Sequence, residues 1–303
     1  MTIRPLDLLD LPTIARYRNH VLTLDSARAL TRGHPLGAMG LLAYINPSRH
    51  VYAAIDNSNN TALLGGVIHT RGETFAKLLY LAPVSNLSDP QLPALIEHLS
   101  AQAGEWQAAH VIAEVDETSE IFPALRTAGF SVYAWQRVWD VSLLEKTGSN
   151  SKSSWRRVRS VDLHAVQGLH YQIVPQLLHP VEPAPRRAAG YVHENMRCFA
   201  NMMTGMYGTV LTPLIHPEEG NVSEKIVSLL ANLPDRRPIY LNVRSYQAWL
   251  EPALEDLGAK ASARQAVMVK HLARLALNGQ PARVLPNSVG VQPSRISRME
   301  VDE

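Results

Sequence analysis

The sequence predicts an α/β protein made of two similar halves in tandem, and three observations carry that prediction. Strand-like and helix-like runs alternate through most of the 303 residues. A series of short matches recurs in the same order in both halves. Between them lies LEKTGSNSKSS (Leu144–Ser154), a polar stretch without apolar periodicity that reads as a linker.

VYAAID (Val51–Asp56) and LLGGVIH (Leu63–His69) read as strands around the turn cluster DNSNNT, and KLLYLAP is the next strand. PQLPALIEHLSAQAGEW places Leu92, Leu95, Ile96 and Leu99 on one helical face. HVIAEV is a buried strand and SEIFPALRTAG a short helix. Gly129 ends that helix at the position where φ is often positive. FSVYAWQRVWDV returns as a strand with period-two alternation. From Gly279 onward the chain is rich in Pro, Ser and Arg and reads as a disordered polar tail.

PALRTAGF (Pro123–Phe130) near the end of the first half matches PALEDLGA (Pro252–Ala259) near the end of the second. Seven residues beyond each glycine stands a strand glutamine, Gln136 and Gln265. HVIAEV matches PIYLNV, with one residue of indel before the helix. Arg4 precedes Asp10 by six residues, as Arg156 precedes Asp162. The shared order of these features marks a repeat. It divides the chain into 1–143, a linker at 144–154, a shorter second copy at 155–276 and a tail at 277–303. The two halves are expected to pack as one unit, with Trp106, Trp135, Trp139 and Trp155 near their contact.

Composition excludes several classes. Hydrophobic residues are 46% and charged residues 18%, which suits a chain that buries a core. A formal net charge of +2 argues for neither nucleic acid nor a membrane surface. The single cysteine, Cys198, rules out an internal disulfide and a cysteine metal cluster. The acids in MTIRPLDLLDLP argue against a signal peptide, and no apolar run is long enough to span a bilayer, so a cytoplasmic protein is expected.

Each half resembles a GNAT acyltransferase domain. The residues that carry the resemblance are TIRPLDLLDLPTIARYR, KLLYLAP and HVIAEV…LRTAGF, and the second half follows more weakly. The resemblance implies two tandem GNAT-like domains with mixed, mostly antiparallel sheets flanked by helices. It implies acetyl-CoA or another acyl-CoA as cofactor and a small-molecule or protein amine as acceptor. It places the cofactor at Leu81, Val84, Asn86, Ser88 and Ser119, with backbone donors at Leu81–Val84 polarising the thioester carbonyl.

Two departures from the family pattern stand out. The family's pyrophosphate loop, Arg/Gln-x-x-Gly-x-Gly/Ala, is replaced after Pro83 by Asn86, Leu87, Ser88, Asp89, Pro90 and Gln91. Its glycines normally let backbone N–H groups reach the phosphates at a helix N-terminus. Here Asp89 reads as an N-cap with Pro90 at N1, a pair that uses or removes those donors. In the second copy Asn221 and Glu224 read as a capping box beside Glu218 and Glu219. The tyrosine that often serves the family as general acid is replaced by Leu125 and Leu254. The family's CoA-holding asparagine falls near Thr118 or Ser119, and near Gln247.

Catalytic candidates are Glu73, Tyr80 and Glu117, with Asp116 and Glu120 nearby and Glu114 inside a strand. Two functions remain open: an N-acyltransferase with an eroded phosphate loop, and a non-catalytic GNAT-like binding or assembly protein with a protein partner. SSWRRVRS reads as a strand with exposed arginines rather than a nucleic-acid contact. His164, His170 and His179 lack the spacing of a metal site. Met196, Met202, Met203 and Met206 could wall an apolar pocket or fill core.

Overall fold

The computed structural model describes residues 3–37, 46–57, 62–144, 154–234 and 237–272. The tail and most of the linker lie outside this set. The first half runs β1 (Ile3–Pro5), α1 (Leu11–Tyr17), β2 (Leu22–Thr23), α2 (Ser26–Arg32), β3 (Arg49–Asp56), β4 (Leu63–Thr70) and β5 (Phe75–Ala82). It continues with α3 (Leu92–Glu105), β6 (His110–Asp116), α4 (Phe122–Thr127) and β7 (Ser131–Asp140). The second half runs β8 (Trp155–Arg157), α5 (Leu163–Ile173), β9 (Gly190–His193), β10 (Cys198–Thr204) and β11 (Thr209–Ile215). It closes with α6 (Val222–Ala231), β12 (Ile239–Arg244), α7 (Glu251–Asp256), β13 (Lys260–Ala261) and β14 (Gln265–His271).

Periodicity explains most of these elements. Helix α3 buries Leu92, Leu95, Ile96, Leu99 and Ala103 on one stripe, which lies across β3 and β4. β4 passes close beneath it because Gly65 and Gly66 have no side chain. A Cβ on Gly65 would stand 2.7 Å from a Leu99 methyl, and one on Gly66 would stand 2.5 Å from the Tyr80 ring. Gly129 and Gly258 end α4 and α7 with φ of 84° and 82°, the left-handed C-terminal turn that glycine takes without strain. Leu125 and Leu254, at the family's tyrosine positions, are wholly buried in the two cores.

The Arg-x5-Asp signature makes the same clamp twice. Arg4 grips Asp10 with two bonds of 2.7 and 2.6 Å, and Arg156 grips Asp162 with bonds of 2.6 and 2.8 Å. Each aspartate also accepts a backbone N–H three residues earlier, from Asp7 or Arg159. These bonds tie the first strand of each half to the start of the following helix. The bond from Arg4 holds the Asp10 carboxyl below the usual range, and Arg156 followed by the Arg159 N–H does the same to Asp162. A depressed carboxylate stabilises fully above its unfolded pKa of about 4 and loses that effect as pH falls further. The double variant Asp10→Asn/Asp162→Asn is expected to melt below wild type at pH 7 and to converge with it in acid. Calorimetry from pH 7 down to about 2 checks this, and curves that stay parallel would refute it.

All strands join one sheet of order β1-β3-β4-β5-β6-β14-β7-β12-β11-β10-β9-β8, with β2 added at β5 and β13 at β7. The centre of this order is an exchange. β7 ends the first half but pairs with β12 of the second, Gln136 opposite Arg244 and Asp140 opposite Tyr240. β14 ends the second half but pairs with β6 of the first, Gln265 opposite Asp116 and His271 opposite His110. β7 and β14 then pair with each other, placing Gln136 opposite Gln265. The two glutamines of the repeat thus meet, Gln136 Nε2 donating to Gln265 Oε1 at 2.9 Å. The described residues all fall in one compact unit.

The tryptophan expectation needs correction. Trp135 and Trp139 do lie on β7 at the seam, and the wholly buried Trp139 packs into the second half's core. Trp155 sits on β8 at the far edge of the sheet and donates its indole N–H to the Lys225 carbonyl. Trp106 stacks on His50 in the first half, 5.4 Å between ring centres.

Candidate functional site: two filled wedges and a charged seam

In each half two parallel strands pair over three residues and then part. β5 and β6 pair from Phe75–His110 to Lys77–Ile112. β11 and β12 pair from Thr209–Ile239 to Leu211–Leu241. Beyond those points lie two wedges, and the backbone along their edges is where an inserted ligand would bond.

The first wedge holds the chain's own segment between α1 and α2. Leu22 pairs with Leu81 and Thr23 with Tyr80 in antiparallel register. The Leu24 N–H donates to the Leu79 carbonyl at 3.0 Å. The opposite bank closes on the same residue, the Glu114 N–H donating to the Leu24 carbonyl at 2.9 Å. The Val84 N–H donates to the His20 carbonyl, also at 2.9 Å. Leu24 itself is 0% exposed and part of the main core. Two of the residues expected to meet a cofactor, Leu81 and Val84, therefore bond this segment.

The second wedge is closed by a side chain. Gln247, 1% exposed, accepts the Ile215 N–H at 2.8 Å and donates to the Ile215 carbonyl at 3.0 Å. Strand alternation aims Pro213 toward the same side, and proline has no N–H to offer.

Both anion loops are likewise engaged internally, though not as the caps expected. α3 begins at Leu92, so Asp89 is not its N-cap. Its carboxylate accepts the Gln91 N–H at 2.8 Å in the turn leading into the helix. Asn221 precedes α6 in a left-handed conformation with φ of 53°, and no capping box with Glu224 forms. The anion there is the Glu219 carboxylate, whose side chain is 7% exposed. It is held by Lys225, by Arg197 at 3.2 Å and by Asn195 at 3.0 Å. Burial opposes its charge, and the Lys225 and Asn195 bonds outweigh that and keep its pKa low.

The catalytic candidates do not converge. Glu73 lines a cavity between the halves and accepts the His69 ring through its carbonyl. Tyr80 is 1% exposed within a core cluster on the other side. Glu117 is exposed beyond β6, with Arg264 at 3.9 Å. Asn86 accepts the Ser85 hydroxyl, Ser88 is exposed, and the Ser119 N–H bonds the Asp116 carbonyl.

The structure instead gathers charges that separate stretches of sequence supply. Lys77 on β5 lies 3.0 Å from Asp25 and 3.6 Å from Glu114. Glu114 on β6 also accepts the Ser26 N–H at 2.9 Å and lies 3.9 Å from Arg244. Arg244 meets Glu182 at 2.8 Å and bonds Gln136, while the Tyr246 hydroxyl donates to Glu182 at 2.7 Å. Burial works against all three central charges. Asp25 and Glu114 nevertheless raise Lys77, Lys77 and Arg244 lower Glu114, and Glu182 and Glu114 raise Arg244. Glu114 is thus held ionised rather than poised near neutrality as a base would be. The repeat glutamines pointed toward this seam, but no local motif links its acids and bases.

Other sequence features have structural roles. The Nε2 atoms of His170 and His179 face the Glu182 and Val174 carbonyls. Among the described residues no group of three or more His, Cys, Asp or Glu could hold a metal ion. Met203 and Met206 are exposed at 40% and 59%, so they are not core filler, whereas Met202 packs against the second core. Burial pushes the Cys198 thiol up to about 12. No described helix is long and apolar enough to cross a membrane.

No family model and no curated protein matches the chain. Solved structures do. A tandem GNAT protein from the clavulanic acid biosynthesis pathway is 12% identical, with a TM-score of 0.50 over 89% of this chain and 98% of that one. A GCN5-related N-acetyltransferase from Sphaerobacter thermophilus is 12% identical, with a TM-score of 0.51 over 89% of this chain and 95% of that one. The likeness spans both halves: the chain has the tandem GNAT fold.

Proposed function

We propose that this chain is a non-catalytic GNAT-fold binding protein of the cytoplasm, which uses the fold without acyl-CoA. The observation that carries the reading is the pair of filled wedges. Evicting the first segment exposes Leu24, at a cost of about 2 kcal/mol. It also breaks the pairing of β2 with β5 and three further backbone bonds, the latter worth about 1 kcal/mol each. The sum, about 5 kcal/mol, is roughly three to four powers of ten in affinity before any new contact forms. The second wedge adds Gln247 and Pro213, and both anion loops already hold a carboxylate of the chain. A buried, unreactive Cys198 thiol suits a reducing compartment.

The second reading is an N-acyltransferase acting on a small-molecule or protein amine, favoured by the fold and by the neighbours' named activity. It requires His20–Leu24 to swing out before the acyl-CoA enters. Calorimetric titration with acetyl-CoA and a longer acyl-CoA separates the two. No heat is expected up to ~1 mM ligand. Micromolar binding would overturn the binding-protein reading and restore the enzyme.

A further inference from the structure

The seam opens into a cavity of about 500 Å³ between α2, the β3–β6 edge of the first half and the 181–187 segment of the second. That volume lies within the range of small-molecule sites. Its charges are unequal. Lys77 and Arg244 are matched by Asp25, Glu114 and Glu182. Arg28, Arg32 and Arg49 also line the cavity, and Arg32 and Arg49 have no carboxylate in ion-pair distance among the described residues. Arg49 Nη1 is buried with no hydrogen-bond acceptor. Arg186 and Arg187 stand at the mouth, exposed. Glu73 is the one lining acid outside the matched cluster.

Two guanidiniums lining one cavity without an anion destabilise each other. Burial first, and then the positive charge of Arg32, pull the Arg49 pKa down. The fold keeps this arrangement at the edge of an otherwise satisfied network. Ile68, Phe75, Ile112, Val181 and Met203 supply an apolar wall beside the arginines. A dianionic head would neutralise both guanidiniums, whose planar forks take phosphate oxygens two at a time. A single carboxylate would neutralise one.

We propose that this cavity binds a small organic phosphate monoester, its phosphate between Arg32 and Arg49 and its apolar body against Phe75 and Ile112. The proposal deepens the binding-protein reading and rests on it only in saying what is bound.

The test uses the full chain with phenyl phosphate as probe and benzoate as its monocarboxylate counterpart, read by calorimetry. Phenyl phosphate is expected to bind, and Arg32→Gln and Arg49→Gln each to weaken it by about tenfold or more. Benzoate is expected to bind more weakly than phenyl phosphate. Without ligand, Arg49→Gln is expected to melt no lower than wild type, because a cation without an acceptor is removed. Absence of phenyl phosphate binding to wild type, or equal binding by both variants, would overturn the site. Benzoate binding as tightly would overturn the phosphate assignment. A lower melting temperature for unliganded Arg49→Gln would assign that arginine a structural role instead. Acetyl-CoA binding unchanged by Arg49→Gln would overturn the function proposed above while leaving this site standing.

Discussion

Residues 1–144 produced alone are expected to be insoluble and to show no cooperative unfolding. The reason is the strand exchange. β14 supplies the neighbour of both β6 and β7, and its Ala266, Val267, Met268 and Val269 are each 2% exposed or less. Burying a valine or methionine side chain contributes about 1.5–3 kcal/mol. Three of them therefore rival the whole stability of an ordinary domain, about 5–15 kcal/mol. Without β14 and β12, the fragment would also present two long apolar strand edges, a template for aggregation. Deleting residues 263–303 from the full chain is expected to have the same effect. Coexpressing 1–144 with 154–303 is expected to recover a soluble complex. Size-exclusion chromatography with thermal melts decides the matter, and a soluble 1–144 fragment that melts cooperatively would refute the exchange.

Glu114→Ala is expected to destabilise the full chain by about 1–3 kcal/mol, the usual cost of leaving a buried donor without its acceptor. Glu114 is 2% exposed and faces both Lys77 and Arg244, so its loss removes the acceptor of the Ser26 N–H and leaves Lys77 with Asp25 and Arg244 with Glu182 as their remaining carboxylates. Glu114→Gln keeps the shape and an acceptor oxygen, and is expected to cost less. Lys77→Met combined with Glu114→Ala is expected to cost more than Glu114→Ala alone, since it leaves the buried Asp25 without its cation. Urea unfolding of wild type, the two Glu114 variants, Lys77→Met and the double variant is the test. Equal stability of wild type and Glu114→Ala would show that the cluster contributes nothing to folding.

The elements themselves were legible in the sequence because their signals are local. Leu92, Leu95, Ile96 and Leu99 mark α3 by spacing alone, and the repeated Arg-x5-Asp pair predicts a device that both halves share. The path of the sheet was not legible. Strand order depends on pairing between residues more than a hundred apart, and nothing in FSVYAWQRVWDV states which half it will join. The wedge filler was missed for a different reason. HVLTLD is too short to carry a periodicity, yet its Leu24 becomes core. In the two loops the caps expected from sequence do not form. Asp89 bonds one residue ahead of the helix, and Glu219 rather than Asn221 holds the second site. Lys77, Glu114, Glu182 and Arg244 come from four distant stretches, so only the folded chain brings them together.

The exchanged strands also set the timetable of biosynthesis. β6 leaves the ribosome well before β14, its partner, which is among the last strands made. At about 5–20 residues per second, roughly 8–30 seconds separate the two. Throughout that interval the nascent first half carries an open edge at β6 and another at β7. Its folding must wait for a strand late in the second half, a high-contact-order route that is slow and exposed to aggregation. Chaperone engagement with the nascent chain should therefore persist until Gln265–His271 has emerged, and a circular permutant that makes β14 early should need less help.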